Sequence, residues 1–331
     1  MMNTFVTRDL FRQAQRALTV ACALALGDGT ALATYPERPV TLVVPFAAGG
    51  ANDVVARIIQ QPLADALGQP VVIENRGGAG GNIGFGFVAR AHPDGYTLLL
   101  APNSFAVNVS LYAKAPYDPF KDFDPVAEIS YFPVMFTVRP DLGVSTLQEL
   151  IALAKEKPGR LNYSTPGPGT LPHLATELLK LRTGIDMVHI PYAGAAPAAQ
   201  ALLSKTVDVA TLSITVAMPQ IRAGNFKGLA VTGAERWPDL PDIPTVLEAG
   251  IPESVSETWQ GVMVPAGTPK DAIERLAKAL IEIARRPDVR EKLRNAGFAA
   301  TGRGPDAFAK RIAEDVPKWK AVIEKARIGV K

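Results

Sequence analysis

Short β-branched runs alternate along this chain with stretches whose apolar residues recur at three- and four-residue steps. Val40-Thr41-Leu42-Val43-Val44 ends in a small-residue loop, and residues 54–67 then carry a helical apolar spacing. Val71–Glu74 reads as a second strand. A glycine-rich turn and a helix over Asn82–Arg90 follow, and Pro93-Asp94-Gly95 introduces a third strand, Tyr96–Leu100. Strand, helix, strand, helix, strand predicts a parallel sheet with right-handed crossovers.

The rhythm recurs downstream. Helices are predicted over Thr146–Lys157, Leu171–Arg182, Ala196–Leu203 and Met218–Ala223. Strands are predicted at Leu161–Ser164, Met187–Ile190, Val207–Leu212 and Leu229–Val231. After Gly250 come a strand, Trp259–Pro265, and helices near Pro269–Arg286, Pro287–Ala296 and Pro305–Arg327. Ile273, Leu276, Leu280 and Ile283 form an apolar stripe that suits packing on a sheet. Two such units predict an α/β protein of two lobes, each a mainly parallel sheet flanked by helices. The first lobe is 34–135, the second 136–254, and 255–331 returns to the first.

The first 33 residues depart from this pattern. Arg8, Arg12 and Arg16 precede the apolar run Ala17–Leu26, and Ala31-Leu32-Ala33 is a small-residue cleavage pattern. Ten apolar residues are too few to span a membrane, so residues 1–33 read as a secretory signal peptide. The only cysteine, Cys22, lies inside that leader. A mature chain without cysteine excludes a disulfide framework and any Cys-based metal site, and three histidines make a His-based one improbable. Lysine plus arginine (35) nearly balance aspartate plus glutamate (32), so composition gives no reason to expect nucleic acid.

Candidate chemistry concentrates in loops between strand ends and helix starts. Residues 45–53 (PFAAGGAND) form the first. There, glycines let backbone N–H groups approach a ligand beside a helix N-terminus, although a tight turn needs the same residues. Asp53 suits a cap or loop brace, with Arg57 one turn on to pair with it. Residues 75–84 (NRGGAGGNIG) form the second, with Arg76 as a charge contact; a dinucleotide fingerprint fails there because Ile83 replaces its third glycine. Residues 163–173 (YSTPGPGTLPH) form the third, with Thr170 as N-cap and Pro172 just inside the helix. Tyr192–Pro197 opens the next helix in the same way. His173 stands without a second ligand at metal spacing and reads as structural, as do His92 and His189. Asp118, Lys121, Asp122 and Asp124 read as a solvated loop. Hydrolase, zincin and Walker signatures are absent.

In order, these segments resemble the Bug-type family of substrate-binding receptors of tripartite tricarboxylate transporters. The resemblance rests on Val44-Pro45-Phe46-Ala47-Ala48-Gly49-Gly50 with Asp53 and Arg57, and on Glu74-Asn75-Arg76. It rests also on Pro93-Asp94-Gly95-Tyr96-Thr97-Leu98-Leu99, Pro191-Tyr192, Leu240-Pro241-Asp242-Ile243-Pro244-Thr245-Val246 and Val264-Pro265-Ala266-Gly267-Thr268-Pro269. It covers essentially the whole mature chain.

The resemblance implies a Venus-flytrap periplasmic-binding-protein fold that is type II-like. It also implies capture of a small organic anion, a carboxylate or dicarboxylate, aromatic or not, and delivery to membrane permease subunits. It places ligand binding on Phe46, Ala48, Gly49, Asn103 and Ser104 in the first lobe. In the second it places binding on Ser164, Thr165, Gly169, Thr170 and Tyr192. No cofactor, metal or nucleic acid is implied, and the receptor is expected to be a monomer.

Two departures from the family pattern matter. Ala193 follows Tyr192 where a basic residue is frequent, and Leu212 replaces an acidic residue, with Ser213 next. Both favour a less charged or partly apolar acid. Two other readings stay open: a receptor that signals to a membrane kinase, and a secreted enzyme on the same fold using His173.

Overall fold

A computed structural model describes residues 35–329. The leader and its cleavage pattern lie outside the described residues, as does Cys22. The architecture below belongs to the compact unit Arg38–Lys331.

The predicted alternation is present. Strand β1 (Val40–Val44) lies between β2 (Val71–Asn75) and β3 (Thr97–Pro102), parallel to both. Helix α1 (Ala51–Leu67) makes the first crossover, and α2 (Asn82–Ala89) follows β2. Val40, Leu42, Val43 and Val44 are fully buried, as a strand covered on both faces requires. In the second half, β5 (Asn162–Thr165) is flanked in parallel by β6 (Val188–Pro191) and β7 (Val209–Ser213). Helices α5 (Leu171–Thr183), α6 (Ala195–Leu203) and α7 (Ile214–Arg222) connect and cover these strands. Before them, α4 (Leu147–Glu156) starts at a capping box: Thr146 Oγ1 accepts from Glu149 N–H, and Glu149 reaches back.

Three elements escaped the periodicity. Helix α3 (Ser104–Leu111) follows β3. Strand β10 (Ala299–Arg303) pairs with the third, β4 (Phe123–Val138), a strand of 16 residues. Asp124, read as part of a solvated loop, lies in β4 and accepts from Gly267 N–H. Prolines at 125 and 133 interrupt the run and disguise it as non-strand.

β4 organises the molecule. Its Phe123–Pro133 segment pairs antiparallel with β9 (Glu257–Pro265), and Val134–Val138 pairs antiparallel with β7. Met135–Val138 also pairs with β8 (Lys227–Val231). The sheet path therefore runs β2-β1-β3-β9-β4-β7-β5-β6, parallel at its two ends and antiparallel in the middle. The expected parallel sheets are the outer parts of this mixed sheet.

Helices α8 (Lys270–Arg285), α9 (Pro287–Asn295) and α10 (Pro305–Lys325) complete the chain. α8 buries Leu276, Leu280 and Ile283. α10 buries Phe308 and Trp319 against the β4/β9 region, with Trp259 meeting Phe308 edge-on at 5.1 Å. Among the described residues no helix is long and apolar enough to cross a membrane.

Candidate functional site

A cavity of about 390 Å³ opens where β4 and β9 pass between the two halves of the sheet. Four helices begin at its wall. The residues preceding α1, α3, α5 and α7 are Gly50, Asn103, Thr170 and Ser213, and all four line it. None of these residues caps its helix with a side-chain hydrogen bond. First-turn N–H groups of an α-helix have no intrahelical acceptor and carry the positive end of the helix dipole. The remaining walls are mostly apolar, with Phe46, Val107, Phe132, Val134 and Leu171 beside Asn52 and Ser104, and no lining residue is charged. The floor adds Thr258 and Gln260 from β9.

The first loop is held from its flank. Gly49, at φ +84°, donates its N–H to Asp53 Oδ2 at 2.8 Å. Arg57 Nε donates to the same oxygen at 2.8 Å, and Asn75 Nδ2 donates both to Asp53 Oδ1 and to Phe46 O at 3.0 Å. These donors hold the buried Asp53 carboxyl at about 2, chiefly through Arg57. Asp53 and Arg57 thus brace the loop as the spacing suggested. The price of that brace is that the Gly49 N–H points at Asp53.

The second-half loop uses another acceptor. Gly169, at φ +73°, donates its N–H to His173 Nδ1 at 3.1 Å. His173 stacks on His189 with ring centroids 3.9 Å apart, and His189 stacks on Tyr163 at 4.9 Å. His189 Nε2 and Thr165 Oγ1 are 2.7 Å apart, and the Tyr163 hydroxyl donates to Glu177 at 2.5 Å. Burial, then His189 and Lys180, lowers the His173 pKa from 6.5 to about 3, so the ring is a neutral acceptor. Periodicity could not pair His173 with His189, because they come from different elements.

The structure brings five sequence-predicted residues to the cavity: Phe46, Asn103, Ser104, Gly169 and Thr170. It places Ala48 and Gly49 on the exposed outer part of the first loop. Ser164 and Thr165 are fully buried behind the wall, where Ser164 Oγ donates to Ala198 O at 2.9 Å. Tyr192 is half-buried and packs on a neighbouring core cluster. Thr170 stands at the N-cap, but its hydroxyl donates to Gly167 O at 2.7 Å instead of accepting from the helix. Arg76, proposed as a charge contact, pairs with Glu74 and stacks on Phe87 at 3.5 Å, away from the cavity. Leu212 is buried, and its neighbour Ser213 reaches the cavity.

Sequence reasoning missed the floor. Gln260 is fully buried and accepts from Ser130 Oγ at 2.8 Å through Oε1. Its signal was an amide within an otherwise apolar strand, Trp259-Gln260-Gly261-Val262-Met263.

A two-lobed α/β fold with ligand-sized space at strand ends and helix starts is that of solute-binding receptors. Residues 55–328 match the Tripartite tricarboxylate transporter family receptor, and the chain belongs to that family, among its Bug-type members. Protein BugT of Bordetella pertussis is 38% identical over 292 residues, covering 88% of this chain and 90% of BugT. The structure of Rpa4515 of R. palustris with adipate superposes with a TM-score of 0.72 at 35% identity, covering 89% of this chain and 99% of that one. MatC (Rpa3494) of Rhodopseudomonas palustris with bound malate gives 0.69 at 35% identity, covering 87% and 100%.

Proposed function

We propose that this protein is an extracytoplasmic solute receptor. It binds a small organic anion through a carboxylate in the cleft between its lobes and delivers it to the membrane subunits of a tripartite tricarboxylate-type transporter. The observation that carries this reading is the convergence of four helix starts on one cavity without a charged side chain. Main-chain donors aimed into a partly desolvated space select an anion without a buried arginine. The relatives with bound adipate and malate support a carboxylate as the ligand.

In this reading Phe46, Asn103, Ser104, Gly169 and Thr170 face the ligand, and Ala48, Gly49, Ser164, Thr165 and Tyr192 shape the loops that do. The leader at 1–33 exports the chain to the periplasm. The lobes divide at 135/136 and 254/255, a division supported by the change of β4 partners from β9 to β7 at Pro133 and Val134. A receptor also fits better than a hydrolase because His173, the tempting base, is absent from the cavity lining and spends its Nδ1 on Gly169.

Thermal unfolding against a panel of aliphatic and aromatic mono-, di- and tricarboxylates tests the reading. An acid present at a hundred times its Kd adds about 2.7 kcal/mol of stability. Stabilisation by a neutral sugar or a cation, with none from any acid, overturns it.

A further inference from the structure

Of the buried side-chain polar atoms that have no partner among the described residues, two belong to residues that line this cavity: Gln260 Nε2 and Ser104 Oγ. Gln260 is fully buried at the floor, where β4 and β9 pair Ser130 with Gln260. Its Oε1 is committed to Ser130 Oγ, which fixes the amide and leaves the NH₂ group as the free end. Ser104 stands at the first position of α3. Buried donors without acceptors are rare in folded proteins, and a pair of them on one cavity marks a place where a ligand atom accepts. The same cavity is lined by Phe46, Val107, Phe132 and Leu171, which offer only apolar contact.

We infer that Gln260, assisted by Ser104, is the specificity-determining residue of the cleft. It reads a second oxygen acceptor on a ligand whose carboxylate is held elsewhere and whose middle is apolar. The inference rests on the receptor function proposed above and names its substrate class: an organic acid with a hydrocarbon or ring body and an additional oxygen. That oxygen belongs to a hydroxyl or carbonyl group, or to a second carboxylate. The shared chemistry is acceptance of the Gln260 N–H. An acid lacking the oxygen leaves both donors buried and unpaired on closure, and a site built to bond a polar group discriminates strongly against an analogue without it.

Isothermal titration of the full protein with hexanoate, 6-hydroxyhexanoate and adipate, and with benzoate and 4-hydroxybenzoate, provides the test. In each set the oxygen-bearing acid is expected to bind about tenfold or more tightly than its plain counterpart. Preference for 6-hydroxyhexanoate or for adipate tells a neutral acceptor from a second carboxylate. Gln260→Met should erase the preference, tightening the plain acid, which no longer strands the buried NH₂ group, and weakening the oxygen-bearing one. Gln260→Glu, which keeps an acceptor for Ser130 and replaces the NH₂ group by an oxygen, should lose adipate, whose ionised second carboxylate cannot donate to it, while retaining the wild-type circular dichroism spectrum. If acids bind but Gln260→Glu still prefers adipate to hexanoate, if Gln260→Met keeps the wild-type preference, or if wild type shows none, this inference falls and the receptor reading stands. If no acid binds at all, the receptor reading itself fails and takes this inference with it.

Discussion

Two loops on opposite sides of the cavity solve one problem with different chemistry. In both, a glycine at positive φ precedes a helix and donates its N–H to the side chain four residues on: Gly49 to Asp53 and Gly169 to His173. Both acceptors are locked into their accepting form. Asp53 is kept ionised by Arg57 at the surface, whereas His173 is kept neutral by burial against His189. An ion pair whose guanidinium is exposed is weakened by salt and survives mild acid. A buried imidazole is indifferent to salt but is opposed by protons. The comparison teaches that the same backbone device can respond to different conditions in the two halves of one site.

The largest expected break of this symmetry is Gly169→Val. Its φ of +73° disfavours any Cβ, and the new Cβ would lie 2.7 Å from Leu111 Cδ2 of α3. Loss of measurable acid binding in titration is expected, with stability reduced by about 2 kcal/mol or more. Gly49→Val shares the positive φ but meets nothing within 4 Å, so it should weaken binding less. Next comes Asp53→Ala, which strips partners from Gly49, Asn75 and Arg57. About 2 kcal/mol should be lost in urea unfolding. Smallest is Arg57→Ala. It removes an exposed guanidinium, so a slight, salt-dependent fall in midpoint is expected, with the Asp53 pKa moving up toward 3.8 in an NMR titration.

Proton titration separates the two loops along a second axis. The His173 pKa is lowered on folding, so below 6.5 the unfolded chain binds a proton that the folded chain refuses down to about 3. Stability from this site is complete above 6.5 and declines as pH falls through that window. Asp53 acts in a lower window: its contribution is complete above 3.8 and disappears as pH falls through about 2. Urea midpoints between pH 8 and pH 5 should therefore fall in the wild type and fall less steeply in His173→Gln, where His189, also lowered by burial, still opposes protonation. An equal slope in both proteins would show that His173 is not the titrating group.

The parts legible in the sequence were those with local causes. The β1–α1–β2 and β5–α5–β6 units announced themselves through β-branched runs, helical spacing and glycine punctuation, and their predicted bounds were close. Asp53 and Arg57 were legible because four residues on a helix set their distance. The start of α7 at Ile214 was placed late, at Met218, because Ile214-Thr215-Val216 reads as strand and Pro219 interrupts the helix. β4 was missed because its prolines and its polar Glu128, Ser130 and Thr137 break the strand signature, while its length is supported by pairing to strands far along the chain. The loop hydroxyls of Ser164 and Thr165 looked like ligand donors by position, yet burial turned them toward Ala198 O and His189.

By itself the sequence determined the order of strands and helices and the placing of glycine-rich loops at strand ends. It also determined a neutral balance of charge, because these follow from neighbours within a few positions. Only the tertiary structure decided that four helix starts meet at one cavity, that His173 lies on His189, and that Gln260 lines that cavity with Ser130 on its carbonyl. Ser130 and Gln260 are 130 residues apart, and β4 and β9 bring them together only when the whole sheet forms. Burial then gives those residues their chemistry. An amide or imidazole that is ordinary in water becomes selective once its partners are fixed and water no longer competes.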